Sequence, residues 1–132
     1  NDPVNTGRAL VMLSNAGLIT LKNPRDPQSA TKDITANPHR FKIRELEGAM
    51  LARAVNQVDL AFIFANYALE AGIDTDKALL VEKGSDLYVE YLVARPDNIN
   101  DPGIQKLAKA LNSDRVRSFI LTRYKGKILP GF

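Results

Sequence analysis

The chain of 132 residues contains no cysteine and no tryptophan, has one histidine, and holds no apolar run near the roughly 18 residues of a membrane span. Without cysteine there are no disulfides, no thiolate metal sites and no cysteine nucleophiles; the compartment stays open, because an exported protein can lack cysteine too. With His39 as the single histidine, most histidine-based catalytic or metal constellations are impossible within one chain. Enzyme signatures are also absent. There is no Gly-rich phosphate loop after a strand, no nucleophile elbow and no zinc motif, so neither a metal, a cofactor nor catalysis is expected. Charge of one sign is scarce as well: 18 Lys and Arg stand against 15 Asp and Glu. That surplus of +3 is too small to imply nucleic acid. The basic cluster Arg115, Arg117, Arg123, Lys125 and Lys127 lacks interleaved aromatics beyond Tyr124, and cations near a helix C-terminus are favoured by its dipole anyway.

What is present is the composition of an ordinary soluble globular domain, 45% hydrophobic and 25% charged. Nothing at Asn1 resembles a signal peptide. Asp2-Pro3 offers an N-cap and a first-position proline, and Gly17 a stop, which predicts a helix over 3–16. Ile19–Lys22 predicts a minor strand, Thr31–Ala36 a short helix, and the alternating Phe41–Leu46 a half-buried strand. Glu47–Val55 predicts a helix. The continuous apolar run Leu60–Ala65 reads as a strand buried on both faces of a parallel sheet, followed by a helix over Asn66–Ala71 that Gly72 ends. Leu79–Glu82 and Leu87–Ala94 predict two more strands. Asp101-Pro102 and Ser113 open two final helices, the second ending at Gly126. Alternating strands and helices indicate an α/β layered domain with a mixed, mostly parallel sheet. Arg95-Pro96-Asp97-Asn98 marks a hinge or crossover, dividing a lobe over 1–95 from helices over 96–132.

Ligands in open α/β sheets sit against helix N-termini beyond the strand ends. Asn5 and Arg8, three apart, project from one face of the first helix, where an Arg can clamp a carboxylate through two parallel hydrogen bonds. A solvated Arg beside a helix-start Asn accounts for the same spacing. Asn66, where the apolar run hands over to a helix, reads either as a ligand contact or as an N-cap. Glu90 lies inside Leu87-Tyr-Val-Glu-Tyr-Leu-Val-Ala94. A carboxylate on a buried strand must be paired or hydrogen-bonded, whereas on a strand with one wet face it is merely exposed.

The segment Asn1-Asp-Pro-Val-Asn-Thr-Gly-Arg-Ala-Leu10 with Asn15-Ala-Gly-Leu-Ile-Thr-Leu-Lys22 resembles the methionine-binding lipoproteins of bacterial ABC importers, the NlpA/MetQ type. The likeness continues through Asp33–Pro38, Leu46–Met50, Val58–Ala61, Asn66–Gly72, Tyr124–Gly126 and Ile128-Leu-Pro-Gly-Phe132, in the same order along the whole chain. The resemblance implies a lobe of the type II periplasmic-binding-protein fold, corresponding to the C-terminal part of a protein about twice as long. It further implies an N-terminal lobe, a signal peptide and a lipidated cysteine outside this sequence, with a location on the periplasmic or cell-surface side of the membrane.

By the same resemblance the ligand is methionine or a related amino acid and the partner is a membrane permease. Arg8 matches the family's α-carboxylate-holding Arg, with Asn5 beside it. Asn66 lies in a ligand-contacting segment, although many members carry the Asn two positions earlier, where this chain has Phe64. Glu90 stands where the family has Asn. A carboxylate there pairs with an α-amino group and repels an α-carboxylate, which points also to a different amino acid, a dipeptide or a cationic ligand. The alternative from another class is a ligand-sensing or interaction domain of the same fold with no transport role. Since the helices over 101–125 cross towards the other lobe in the family, an exposed apolar face and self-association are expected of this chain.

Overall fold

An Asp-Pro pair opens the first helix. In the computed structural model, which describes residues 2–82 and 88–132, helix α1 runs Pro3–Asn15. Pro3 takes the first turn, where a missing N–H costs nothing, and the Asp2 carboxylate accepts the Val4 N–H at 3.0 Å. At the other end Gly17 sits at φ +73°, a conformation that favours glycine. Its N–H donates to the Ser14 carbonyl at 3.0 Å and the Leu18 N–H to the Leu13 carbonyl at 3.0 Å, the paired bonds of a Schellman stop.

The chain falls into two compact units, Asn1–Lys77 and Ala78–Phe132. In the first, β1 (Thr20–Leu21) pairs antiparallel with β2 (Ile34–Ala36), Thr20 opposite Ala36 and Leu21 opposite Ile34, with an irregularity between. Leu10 of α1, Ile19 just before β1 and Leu21 within it form the buried core, with Val11, Leu13, Ile34 and Phe41 packed around it. Asn37 seats Phe41 there: its Nδ2 donates to the Phe41 carbonyl at 3.0 Å and its Oδ1 accepts the Phe41 N–H at 2.9 Å. On its other flank α1 meets the loop 23–29 through Gly7. A Cβ at Gly7 would overlap the Pro27 carbonyl oxygen and lie 2.7 Å from its carbon, so no larger residue fits this approach.

Helices α2 (Gly48–Ala54) and α3 (Ala65–Glu70) complete this unit. Gly48 leaves room for the Tyr67 ring, which a Cβ there would meet at 2.7 Å. Helix α3 ends as α1 does: Gly72 (φ +68°) donates to Leu69 at 3.2 Å and Ile73 to Ala68 at 2.9 Å. The second unit is built on α4 (Pro102–Leu111) and α5 (Asp114–Tyr124). Asp101 Oδ1 accepts the Gly103 N–H at 2.7 Å and the Ile104 N–H at 3.2 Å, and Ser113 Oγ accepts the Val116 N–H at 3.4 Å. The stop after α5 falls on Lys125 (φ 48°) as well as on Gly126.

The expected sheet differs. Among the described residues the single ladder is the antiparallel β1–β2 ribbon. Phe41–Leu46, Leu60–Phe64, Leu79–Glu82 and 88–94 carry no strand, and Ala65 already belongs to α3. The region 31–36 is one turn of 3-10 helix over Thr31–Asp33 followed by β2, not a single helix. Leu87 and Lys83-Gly84-Ser85-Asp86 lie outside the described residues. The physical reason is that a strand is defined by its neighbour. A β-rich run without a partner within reach has nowhere to place its backbone N–H and C=O groups in a ladder.

Candidate functional site

The first turns of α1 carry a chain of side-chain hydrogen bonds. Arg8 Nη1 donates to Asn5 Oδ1 at 3.2 Å, and Asn5 Nδ2 donates to Asp2 Oδ2 at 2.9 Å. The other Asp2 oxygen is the α1 cap. The three-residue spacings 2, 5 and 8 set each group beside the next. A carboxylate at one end polarises the amide, which strengthens its oxygen as an acceptor for the guanidinium. Asn5 and Arg8 are both half-buried.

Arg8 is framed on a second side by an aromatic group from the segment leading into α3. Its Cζ lies 5.6 Å from the centroid of the Phe64 ring, within cation–π reach. That ring meets Phe62 edge-on at 5.3 Å and 82°, and Tyr67 at 6.2 Å and 62°. The Phe64 backbone is fixed too, because its carbonyl accepts the Ala68 N–H at 3.0 Å as the N-cap of α3. A guanidinium beside an aromatic ring keeps its charge and its planar donor set, the chemistry that suits it to a planar anion.

The other two predicted residues sit differently. Asn66 is not the N-cap; that position belongs to Phe64, and Asn66 is the second residue of α3, exposed. A helix starting at Ala65 replaces the predicted strand end and moves the amide onto the helix surface. Glu90 belongs to the second unit, lies outside any strand and is exposed, so the buried-strand argument does not apply to it. Sequence reasoning joined Asn5 to Arg8 but missed Asp2 as the anchor of that pair. Its spacing was the available signal, since it precedes Asn5 by the same three residues that separate Asn5 from Arg8. A hollow of about 140 Å³ beside the start of α1 is lined by Asp2, Pro3, Thr6, Gln28, Ser29, Ala30 and Glu45, and Arg8 is not among its walls. Among the described residues no three metal-ligating side chains converge, and no helix is long and apolar enough to cross a membrane.

Comparison with known proteins adds to this geometry. A family model described as NlpA lipoprotein matches residues 1–132. The chain is 36% identical over 133 residues to a protein of Pasteurella multocida named "Probable D-methionine-binding lipoprotein MetQ", covering 100% of this chain and 48% of that one. In three dimensions it resembles an ABC transporter periplasmic substrate-binding protein from Coxiella burnetii, with TM-score 0.88 and 38% identity over 98% of this chain and 55% of the other. It also resembles a nutrient-binding protein from Burkholderia cenocepacia bound to methionine, with TM-score 0.80 and 34% identity over 100% of this chain and 56% of the other. The chain spans about half the length of the curated relatives it matches.

Proposed function

The chain belongs to the NlpA lipoprotein family, and we propose that it serves in the substrate-binding component of an ABC importer for methionine or a related amino acid. The observation that carries this reading is the Asp2–Asn5–Arg8 series on α1, which holds a half-buried guanidinium in a family whose relatives are named for methionine binding. In this reading the chain supplies one side of a cleft in a type II periplasmic-binding-protein fold. Residues 1–95 form the ligand lobe and 96–132 the crossover helices, and the β-rich runs at 60–64 and 88–94 join a mostly parallel sheet with strands from the rest of that fold. Arg8 clamps the ligand carboxylate. Asn5 steadies it, and Asn66 and Glu90 fix the remaining polar groups.

The mechanism is binding without chemistry. Ligand-driven closure shifts the population towards a form that docks on a permease, on the periplasmic or cell-surface side, with a lipid holding the protein to the membrane. Isothermal calorimetry with L-methionine tests the reading. A protein carrying both lobes binds at micromolar or tighter affinity, Arg8→Ala lowers the affinity at least about a hundredfold, and the 132-residue chain by itself binds weakly or not at all. A full-affinity complex with the Arg8→Ala protein, or with this chain alone, contradicts it.

Self-association of the isolated chain belongs to the same proposal. Its support is the exposed apolar surface, with Leu79 at 84%, Val81 at 74%, Tyr91 at 76% and Val93 at 85% exposure. Light scattering detects it as a mass that rises with concentration; a monomer at high concentration counts against it.

A further inference from the structure

We infer that the segment 127–132 is a positioning element for Glu90: it folds back along α5 and seats Val89, the residue before Glu90, against the backbone of Gly131. The inference rests on the reading of Glu90 as a ligand contact given above and goes beyond it in assigning a role to residues that reading does not use. The observations all fall in the second unit. The chain reverses after α5 through two successive left-handed residues, Lys125 at φ 48° and Gly126 at φ 83°, and the Lys127 N–H donates to the Tyr124 carbonyl at 2.9 Å. Phe132 then meets α5 again: Arg117 Cζ lies 4.8 Å from the centroid of its ring, within cation–π reach. Arg117 is half-buried and stands seven residues before Tyr124, about 10 Å back along the helix axis. Between the reversal and this anchor, a Cβ at Gly131 would lie 2.5 Å from Val89 Cγ1 and 3.2 Å from its Cγ2, so the half-buried Val89 side chain rests on bare backbone.

The consequence follows from stiffness and from strand geometry. Valine is branched at Cβ and restricted about χ1, so a crowding group at position 131 is not relieved by swinging a long side chain aside. A residue larger than glycine there shifts one segment against the other. Successive side chains of a strand point to opposite faces. In the sheet that the functional reading gives residues 88–94, Val89 on the side of Gly131 sets Glu90 on the other side. Backbone ladders fix the register of a strand with its neighbours, whereas the contact with Gly131 fixes how closely the layer behind it packs, and with it how far Glu90 stands from a ligand in front. A displacement on the order of 1 Å takes a carboxylate out of hydrogen-bond range of an ammonium group.

The test uses Gly131→Ala in a protein carrying both lobes, with L-methionine as the probe. Gly131→Ala is expected to weaken L-methionine about tenfold, and to change its affinity by no more than about twofold when Glu90→Ala is already present, because two residues that act through one contact are not additive. Adding Val89→Ala to Gly131→Ala removes both crowded methyls and leaves a contact of 3.4 Å to the Cβ of residue 89; this pair is expected to regain most of the parent affinity. An undiminished effect of Gly131→Ala in the Glu90→Ala background, or a pair no better than Gly131→Ala by itself, overturns the inference. A second readout needs no ligand. The backbone amide resonance of Glu90 moves on Gly131→Ala and returns towards its parent position in the pair; a resonance indifferent to Gly131→Ala overturns the inference even where the protein binds no amino acid. Failure of L-methionine to bind the parent protein, or an affinity indifferent to Glu90→Ala, with the amide response intact, instead removes the functional reading of Glu90.

Discussion

Every buried residue among those described, Gly7, Leu10, Ile19, Leu21, Ser29 and Ala68, lies in the first unit, whereas the second unit holds two well-capped helices and no buried residue among those described. The units differ in charge as well. Residues 1–77 carry nine basic and nine acidic side chains; residues 78–132 carry nine basic and six acidic. The contrast teaches that local and non-local determinants of a fold come apart. Capping chemistry is satisfied within four residues of sequence, and it marks α4 and α5 although none of their residues is fully buried. Burial needs elements distant in the chain, and among the described residues α1, the segment 19–21, the loop at Ser29 and α3 find them.

The largest expected effect sharpens this contrast. Leu10 is 1% exposed at the centre of the cluster with Ile19 and Leu21. Leu10→Ala is expected to cost about 3 kcal/mol, a large share of the stability of a small unit. Val93→Ala in the second unit, at 85% exposure, is expected to cost less than about 0.5 kcal/mol. Urea unfolding followed by circular dichroism, with hydrogen exchange of the α1 amides, measures both. A comparable loss from Val93→Ala would mean that Val93 is packed in solution, and the comparison would break.

A smaller effect tests the other half of the contrast. Asp101 accepts two backbone N–H groups at the start of α4, and α4 has no buried residue to hold it otherwise. Asp101→Ala is expected to cost about 1 kcal/mol, read as lost exchange protection in the first turn of α4 and a fall in helicity. Unchanged helicity would show that packing, not capping, holds α4.

The same division explains what was legible in the sequence. Helices α1, α4 and α5 could be placed from Asp2-Pro3, Asp101-Pro102, Ser113 and Gly17, because cap and stop are adjacent to what they satisfy. The stop at Gly72 was equally readable, although the α3 start was not: Phe64 caps through its backbone, which leaves no side-chain signature. The runs at 60–65 and 87–94 have the composition of strands, yet a ladder depends on a partner far away in sequence, so composition could not decide it. The site divides likewise. The Asn5–Arg8 pair was visible as a three-residue spacing within one helix, whereas the ring over Arg8 comes from Phe64, a contact that only the fold brings about.

The smallest expected effect concerns a contact that is local and exposed at once. Arg95 grips Asp97 with both ends of its guanidinium, Nε to Oδ1 at 2.9 Å and Nη2 to Oδ2 at 3.0 Å. This hydrogen-bonded guanidinium holds the Asp97 carboxyl below its ordinary value, and the Asp97 carboxylate raises Arg95 above its own. A carboxyl lowered on folding contributes stability that is present above its unfolded value, about 3.9, and lost as pH falls through the lower folded value. Both side chains are well exposed, so solvent screens the pair and its contribution is small. Titration of the Asp97 carboxyl by NMR is expected to show it below the ordinary range, and Arg95→Gln to return it there. Because the partners are two residues apart, this shift is expected to persist in Leu10→Ala, where the first unit has lost its core. A shift that vanished with Leu10→Ala would mean that this contact is not local, and the comparison would break.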